Sequence, residues 1–439
     1  MIAFHSTQGG GPVALESVLQ SGTAPDGKLY VPERLPRFRR EALAESATPA
    51  DLAELMLRPF FEGSSLAADL PGICRNAFAS PLPLTEIAPG PNGARLRLLE
   101  LFHGPTAAFK DYGARFLAAC LERILAEEPA SSPPLTILVA TSGDTGAAVA
   151  SAFSGRDKIR VAVLFPKGRI SPRQEHHLGC WDDNVQALAV RGAFDDCQRL
   201  VKQAFSSTSL RRKARLGSAN SINLGRLLPQ SAYHAWAALK SPEGAHFVIP
   251  TGNLGNGMAC LWARGMGAGI DRILLATNAN RAVGDYLSSG EYRRRESIGT
   301  LANAMDVGDP SNMERLRHHF GGEIDRIRKA VAATSVNDER IQARIRREYA
   351  ASGVVLCPHT AAGVDACHEH LSLPDEPSGD WIVAATAHPA KFESVVEPLV
   401  GTTVAPPPQL AELLSRPSSH AEIRPDLAAL APYLLQSRA

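Results

Sequence analysis

Hydrophobic residues in this chain are grouped into short continuous runs rather than alternating with polar ones. Runs of five or six mostly apolar residues occur at residues 135–140, 160–165, 185–190, 246–250, 272–277 and 381–386. Some of these runs lead into a glycine-rich turn and then into a stretch with helical spacing. Continuous apolar runs are typical of strands covered on both faces, as in the parallel sheets of α/β proteins. The pattern therefore predicts an α/β fold with largely parallel sheets.

Other stretches predict the elements around these strands. Helical spacing is present at residues 13–19, 50–57, 72–79, 147–153 and 258–265, and a further strand is expected at 95–102. The charged segment 321–349 is predicted to be a solvated helical surface. The segment 402–419, rich in proline and serine, is predicted to be a loosely packed tail. Because ligands usually bind at the carboxyl ends of parallel strands, the turns that follow the strands are where chemistry is expected.

Composition excludes several classes of protein. The 439 residues include 46 Lys and Arg against 45 Asp and Glu, a net charge of +1, so no basic surface for nucleic acid or acidic membranes is expected. No apolar window is long enough to span a bilayer, and the first residues do not resemble a secretory signal, which favours a cytoplasmic protein. The seven cysteines are scattered without a Cys-x-x-Cys pair, so neither a metal site nor a disulfide framework is predicted.

A lysine stands in the first motif with chemical potential, HGPTAAFKD at residues 103–111. The chain has only nine lysines, and Lys110 follows Phe109 and small residues just after a predicted strand. Desolvation in such a setting disfavours the ammonium form, which a Schiff-base lysine requires. An ordinary surface lysine at the start of a helix is the alternative.

Two glycine-containing turns follow predicted strands. Residues 141–146 (TSGDTG) place hydroxyls and backbone N–H groups at the start of a helix, where an anion such as a carboxylate can bind. Residues 251–257 (TGNLGNG) allow the backbone to approach a phosphate. Their spacing matches neither a dinucleotide fingerprint nor a P-loop, so a single monophosphate is favoured over a nucleotide. Each turn alone is also compatible with a plain strand-to-helix connection.

Two further segments carry polar groups. Residues 220–226 (NSINLGR) hold two amides, a hydroxyl and Arg226, which together would bind a second tetrahedral anion. Thr386 lies at the end of the last predicted strand and either faces a ligand or caps the turn. Taken together, these motifs predict one reactive amine and two phosphate-type sites along one sheet edge.

The order of these motifs resembles the threonine synthase family, in the branch with a long N-terminal region. APDGKLYVPERLP, HGPTAAFKD, TSGDTGAAVASAF, FPKGRISPRQE, NSINLGR, TGNLGNG, NAMDVGDPSN and ATAHPAKFE follow one another as in that family, from about residue 13 to 400. The resemblance implies a fold-type-II pyridoxal phosphate enzyme with its site between two α/β domains. We expect an N-terminal region at 1–95 packed on the core, a smaller domain at 96–225, a larger domain at 226–400 and a C-terminal tail at 401–439, with Lys110 at the domain junction.

The resemblance also implies roles for individual residues. Lys110 is similar to the catalytic lysine that binds the cofactor as a Schiff base. The cofactor phosphate loop is expected to comprise Gly252, Asn253, Leu254, Gly255 and Asn256. Thr386 is expected beside the pyridine nitrogen and Asp144 near the cofactor's 3′ oxygen. The substrate carboxylate is assigned to Thr141, Ser142, Gly143 and Thr145, and the substrate phosphate to Asn220, Ser221 and Arg226.

The implied reaction converts O-phospho-L-homoserine and water to L-threonine and phosphate, with Lys110 transferring most protons. The implied partners are this small substrate and, for a homodimer, a second copy of the chain; a monomer is equally open. A phospho-lyase that releases a 2-oxo acid, a ligand-sensing relative and a nucleotide-binding protein are the alternatives. Two positions depart from the family pattern: Cys357 stands where an acid is expected, and Asn256 where Asp also occurs.

Overall fold

The computed structural model describes residues 2–182, 184–374 and 377–435 of the chain. Its strands are β1 (Phe4–Ser6), β2 (Gly9–Val13), β3 (Tyr30–Pro32), β4 (Leu84–Glu86), β5 (Arg95–Glu100), β6 (Leu135–Ala140), β7 (Ile159–Pro166), β8 (Val185–Val190), β9 (Arg215–Gly217), β10 (Ala245–Pro250), β11 (Ile270–Thr277), β12 (Ala332–Ser335), β13 (Asp380–Ala385) and β14 (Ala421–Ile423). They form three sheets, of three, six and five strands.

The α-helices connect these strands and cover the two larger sheets. They are α1 (Leu15–Ser21), α2 (Arg40–Ala44), α3 (Pro49–Phe61), α4 (Leu70–Ala77), α5 (Lys110–Ala126), α6 (Asp144–Phe153), α7 (Pro172–His176), α8 (Phe194–Ser206), α9 (Thr208–Lys213), α10 (Leu224–Leu227), α11 (Gln230–Ala238), α12 (Gly255–Gly265), α13 (Ala282–Ser289), α14 (Met313–His319), α15 (Ile324–Ala330), α16 (Asp338–Ser352), α17 (Pro358–Leu371), α18 (Glu393–Val400), α19 (Pro408–Ser415) and α20 (Leu427–Leu435). Short 3₁₀ helices occur at Pro91–Gly93, Asn303–Met305 and Pro389–Phe392.

The six-stranded sheet has the order β12-β11-β10-β13-β5-β4. All neighbours in it are parallel except β4, which pairs antiparallel with β5. The three adjacent strands β10, β13 and β5 lead into the glycine loop, Thr386 and the lysine motif, respectively. Because parallel strands end at the same edge, this sheet brings three of the predicted motifs together.

The five-stranded sheet has the order β14-β8-β7-β6-β9, and all its strands are parallel. The strands β6 and β9 are neighbours, and they lead into the 141–146 turn and the 220–226 segment. The two remaining motifs of the predicted site therefore follow adjacent strands of this second sheet.

One continuous hydrophobic core joins the N-terminal region to both sheets. The ring of Phe61 on α3 meets that of Phe116 on α5 edge-on, with centroids 5.8 Å apart. The same core contains Phe153 at the end of α6, Phe247 in β10 and Phe4 in β1, each with no more than 1% of its surface exposed. Side chains of the N-terminal region thus share one hydrophobic core with both larger sheets.

Three predictions differ from the structure. The segment 321–349 is interrupted by β12, because residues 332–335 pair with β11. The tail prediction at 402–419 is wrong for α19, whose Leu410 and Leu413 are buried. The predicted domain limits also differ from the sheets. Strand β5, predicted in the smaller domain, belongs to the six-stranded sheet, and β14, predicted in the tail, extends the five-stranded sheet by pairing with β8. The places of β5, β12 and β14 in the sheets are set by pairing with strands that are distant in sequence, and local composition carries no signal for such pairing.

Among the described residues, no helix combines the length and the apolar character that a bilayer span requires. In the same part of the chain, no three His, Cys, Asp or Glu side chains converge as metal ligands. All seven cysteines are free and buried.

Candidate active site

Lys110 is the first residue of α5, at the end of the loop that follows β5. The loop turns sharply at Ala107, whose φ is +51°. Asp111 holds this turn, because its carboxylate accepts hydrogen bonds from the backbone N–H and the hydroxyl of Thr106, at 2.9 and 2.6 Å. The N–H of Phe109 donates to the carbonyl of Thr386 at 2.9 Å. The lysine is thereby fixed to the end of β13.

The Lys110 side chain is partly exposed at the floor of a cleft. Its Nζ lies 5.3 Å from the centre of the Phe109 ring. Desolvation, opposed by the charge of Asp144 and helped by the positive charges of Lys391 and Arg226, lowers the pKa of Lys110 to about 8. About a tenth of this amine is therefore unprotonated at pH 7 and about half at pH 8.

The glycine loop 251–257 joins β10 to α12. Leu254 has a φ of +61°, which turns the chain into the helix. At Gly252 a Cβ would lie 2.8 Å from the Cα of Met305, so only glycine fits against the neighbouring segment. The first N–H groups of α12 have no acceptor within the helix, and the residues that carry them, Gly255 and Asn256, line the cleft. This is the arrangement that a phosphate group requires.

A network of amides fixes the loop from the outside. The side chain of Asn253 donates to Ser221 Oγ at 2.7 Å and accepts from the backbone N–H of Ser311. Asn312 Nδ2 donates to the carbonyl of Asn253 at 2.9 Å. Arg315, which is fully buried, donates to Asn312 Oδ1 at 2.8 Å. The loop is therefore connected to the 220–226 segment and to α14.

Asn256 lies in the first turn of α12 and is buried. Its Oδ1 is 2.8 Å from the hydroxyl of Tyr233 and 2.7 Å from His234 Nε2. Its Nδ2 has no hydrogen-bond partner in the described part of the protein. A buried amide donor with nothing to donate to is a place where a ligand oxygen would be stabilised.

The 141–146 turn is held by its own hydroxyl. Thr141 Oγ1 accepts from the backbone N–H groups of Gly143 and Gly146, at 2.9 and 2.8 Å. Gly143 has a φ of +129°, and a Cβ there would lie 2.6 Å from Gln174 Nε2. Both observations require glycine at this position. The turn presents Ser142 and Thr145 to the cleft.

Asp144 is buried at the start of α6 and forms an ion pair that the sequence analysis did not foresee. Its Oδ1 lies 2.7 Å from Nζ of Lys391, whose side chain is 0% exposed. Gln174 Nε2 donates to the same oxygen at 3.2 Å. Burial alone would raise the pKa of Asp144, but the charges of Lys391 and Lys110 hold it well below its usual value.

The side chains of Arg226 and Asn220 use part of their hydrogen-bonding capacity on backbone carbonyls. The guanidinium of Arg226 donates to the carbonyls of Ala219 and Lys110, and its Nε has no partner among the described residues. Desolvation lowers the pKa of Arg226 to about 10. Asn220 Nδ2 donates to the carbonyl of Ala140 at 3.0 Å. Each of the two side chains therefore keeps part of its donor capacity for a ligand.

Most of the predicted motif residues line one cleft of about 110 Å³ between the two larger sheets. Of the residues predicted from the sequence, the cleft is lined by Lys110, Thr141, Ser142, Asp144, Thr145, Asn220, Ser221, Arg226, Gly252, Asn253, Leu254, Gly255, Asn256 and Thr386. Gly143 stands behind the lining, in contact with Gln174. A wider pocket of about 710 Å³ adjoins the cleft and shares Asn220 and Asn253 with it.

Four residues of the site were missed from the sequence: Gln174, Asn312, His359 and Lys391. Three of them stand inside motifs that the sequence analysis quotes, so the signal was present without an assigned role. His359 lines the cleft, and its Nε2 accepts from the N–H of Ala304 at 3.0 Å. Desolvation lowers the pKa of His359 to about 4, so it is neutral and its accepting nitrogen is occupied.

Comparison with known proteins identifies the family. A family model described as pyridoxal-phosphate dependent enzyme matches residues 78–386, and models of the N terminus and the C-terminal part of threonine synthase match 3–78 and 360–433. The chain is 36% identical to threonine synthase of Haemophilus influenzae over 97% of each chain. It is 39% identical to that of Escherichia coli over 82% of each.

Solved structures agree with these matches. The crystal structure of threonine synthase from Escherichia coli superimposes with a TM-score of 0.90 at 34% identity, covering 99% of both chains. The pyridoxal-phosphate-bound threonine synthase from Brucella melitensis gives 0.88 at 32% identity, again over 99% of both chains. The predicted fold class and cofactor are thereby confirmed. The chain belongs to the threonine synthase family of pyridoxal phosphate enzymes.

Proposed function

We propose that this cleft converts O-phospho-L-homoserine and water to L-threonine and phosphate, with Lys110 as the residue that binds the cofactor and transfers protons. The observation that carries the proposal is the placement of Lys110, with a pKa of about 8, between a glycine loop and the 141–146 turn. The substrate has a carboxylate and a phosphate distinct from that of the cofactor. The cleft offers a separate set of donors for each.

The residues present fit pyridoxal phosphate. The loop at Gly252–Asn256 has no room for a Cβ at its first position and begins a helix, as a phosphate cradle requires. Asn256 Nδ2 is a buried donor without a partner among the described residues. Thr386, 6% exposed, supplies a neutral hydroxyl at the end of β13. When bound, the cofactor supplies an aldehyde that condenses with amines and a ring that accepts electrons.

Lys110 Nζ moves the protons. In its unprotonated form it removes a proton from Cα of the substrate and then one from Cβ, and it later returns protons to Cγ and to Cα. The bond from Cγ to the phosphate oxygen breaks, and a water oxygen forms a bond to Cβ. A pKa near the working pH suits an amine that must both accept and release protons. His359 is neutral and its Nε2 already accepts a hydrogen bond from Ala304, so Lys110 rather than His359 carries the protons.

The substrate is oriented by groups on the five-stranded sheet. We assign its carboxylate to the turn of Thr141, Ser142, Gly143 and Thr145, whose Ser142 and Thr145 line the cleft at the start of α6 and whose Gly143 N–H holds the turn through Thr141 Oγ1. We assign its phosphate to Asn220, Ser221 and Arg226, which line one part of the cleft and of which Arg226 supplies the positive charge. Asp144, paired with Lys391, stands near the cofactor's 3′ oxygen in this assignment.

The adjoining pocket supports a dianionic substrate. Its lining has the cationic side chains of Lys28, Lys202, Arg294 and Arg317 against the carboxylates of Asp309 and Glu314, so positive charges are in excess. Positive charge around an opening concentrates anions and raises their rate of arrival.

The test is product analysis with the loaded enzyme and O-phospho-L-homoserine. Threonine and phosphate should form in equal amounts, and Lys110→Ala should abolish both. Lys240→Ala is a matched control, because Lys240 stacks on Trp236 at 4.2 Å and does not line the cleft. Phosphate accompanied by 2-oxobutyrate would instead identify the phospho-lyase. Threonine synthesis by Lys110→Ala at an undiminished rate would refute the proposal.

The wider setting is part of the same proposal. Seven free, buried thiols fit a reducing compartment, and we propose the cytoplasm. A net charge of +1 gives no reason to expect a nucleic acid partner. A monomer or a homodimer is expected, and light scattering of the purified protein distinguishes the two.

A further inference from the structure

Lys391 is the most completely buried charged side chain next to the cleft, and the proposed reaction gives it no task. It lies in the 3₁₀ helix Pro389–Phe392 that follows β13, and its side chain is 0% exposed. Its Nζ is 2.7 Å from Asp144 Oδ1 and 2.8 Å from the carbonyl of Thr106. A buried ammonium is costly unless it is paired, and both contacts pair it with elements of the active site.

These contacts connect three parts of the molecule. Asp144 begins α6 in the five-stranded domain, whereas Lys391 follows the central strand of the six-stranded sheet. Thr106 belongs to the turn that ends at Lys110. Nearby, Ser171 Oγ donates to the carbonyl of Lys391 at 2.9 Å, which anchors the lysine backbone from α7. The ion pair therefore lies where the two domains and the lysine loop meet.

The charge balance around Lys110 depends on this pair. The charged and titratable groups that act on Lys110 are Asp144 from α6, Lys391 from the 3₁₀ helix, Arg226 from α10 and His359 from α17. Only Asp144 is negative, and it favours the ammonium form of Lys110. An Asp144 carboxylate without its own cation would pair with Lys110, the nearest remaining ammonium.

We propose that Lys391 is a positioning residue for the reaction: it engages the Asp144 carboxylate, holds it at the start of α6, and so leaves Lys110 free as an amine. This inference rests on the proposed role of Lys110. It assigns to Lys391 an effect on the reacting amine that is exerted through Asp144, with no contact to substrate or cofactor required.

The test is the titration of Lys110 in the cofactor-free enzyme, which needs no turnover. A short pulse of acetic anhydride between pH 6.5 and 10 labels free amines, and mass spectrometry reads the label on the Lys110 peptide. In Lys391→Met the midpoint should rise by about one pH unit, so labelling at pH 8 falls about fivefold. Lys391→Arg keeps the charge and should stay near the wild type. Lys167→Met removes a surface lysine that pairs with Glu422 and should leave the midpoint unchanged.

Asp144 variants separate positioning from simple support of the fold. Asp144→Asn should lower the midpoint, and adding Asp144→Asn to Lys391→Met should restore it toward the wild type, since the unpaired carboxylate is then gone. A lysine that only stabilised the structure would change the melting temperature of Lys391→Met and leave the midpoint of Lys110 where it is.

Two results would overturn the inference: an unchanged midpoint in folded Lys391→Met, or a double variant that titrates like Lys391→Met alone. The proposed function fails separately. If the wild type forms threonine while Lys391→Met titrates like the wild type, only the role of Lys391 is wrong. If Lys110→Ala still forms threonine, the assignment of Lys110 is wrong whatever the titration shows.

Discussion

A methyl group at Gly113 tests how closely the lysine helix must pack. Gly113 lies one turn after Lys110 in α5, and a Cβ there would be 2.6 Å from the carbonyl oxygen of Arg226 and 3.1 Å from its Nε. Ordinary contacts of a Cβ begin at 3.4 Å, so about 0.8 Å of separation must open between α5 and α10. The obstructing atom is backbone, which cannot rotate away.

The magnitude follows from two opposing terms. Overpacking of this kind costs about 3 kcal/mol when the neighbour cannot yield. Replacing glycine by alanine inside a helix gains about 1 kcal/mol. Gly113→Ala should therefore destabilise the protein by about 2 kcal/mol. Gly284→Ala in α13 is the matched control, because the nearest atom to its new methyl, Ser335 Oγ, is 3.7 Å away. Only the helix gain of about 1 kcal/mol remains there.

Urea unfolding followed by tryptophan fluorescence measures both variants under the same cofactor loading. The midpoint of Gly113→Ala should fall below that of the wild type, and the midpoint of Gly284→Ala should rise above it. Threonine formation by Gly113→Ala should fall as well, because Arg226 donates to the carbonyl of Lys110 at 3.4 Å and moves with α10. A midpoint of Gly113→Ala at or above the wild-type value would refute the packing argument.

Three further predictions concern the loop, its support and the amine. Asn253→Ala removes the hydrogen bonds to Ser221 and Ser311 and should weaken pyridoxal phosphate binding at least tenfold, or about 1.4 kcal/mol. Fluorescence titration of the apoenzyme measures this affinity, and an unchanged affinity would contradict the assignment of the loop. Arg315→Met leaves the carbonyls of Tyr30 and Ile222 without their donor and should lower the free energy of unfolding by about 3 kcal/mol. Thermal or urea denaturation measures this, and an unchanged stability would show that water replaces the guanidinium as donor. Because desolvation lowers the pKa of Lys110 to about 8, the fraction of Lys110 present as free amine increases about tenfold between pH 7 and 9. The rate at which the apoenzyme takes up pyridoxal phosphate, followed by absorbance, should therefore rise through pH 8. A rate that does not change with pH would contradict this.

Six strands of the two larger sheets, β6, β7, β8, β10, β11 and β13, were predictable because each is a continuous apolar run. The prediction for residues 135–140 coincides with β6, and that for 185–190 with β8. These strands are buried on both faces, so their composition alone identifies them. Strand β12 was not predictable in this way, because its residues are half-buried and stand between charged helices.

Pairing between distant strands was beyond the sequence pattern. Strand β5 joins β13, which lies almost 300 residues later, and β14 joins β8. Local patterns report which face of an element is buried, but they do not report its neighbour. The predicted domain limits at 96 and 401 therefore differ from the sheet memberships.

The site was predicted more fully than its internal contacts. The motifs identified Lys110, the glycine loop and the 141–146 turn, because each follows a strand. They did not indicate that Lys391 pairs with Asp144, nor that Gln174 lies against Gly143. A charge pair between two domains leaves no spacing signal in the chain, since its partners are almost 250 residues apart.

The two larger sheets are built from interleaved parts of the chain, and this order of strands governs how the chain is able to fold. Strands β6 to β9 are inserted between β5 and β10, and β14, near the end of the chain, returns to complete the inserted sheet. Until residues 421–423 have been synthesised, the edge of β8 has no partner on that side and is open to association with other chains. Neither half is a contiguous stretch of sequence, so fragments cut at residue 225 or at residue 400 should not fold alone. Assembly of the five-stranded sheet therefore waits until residues 421–423 have left the ribosome.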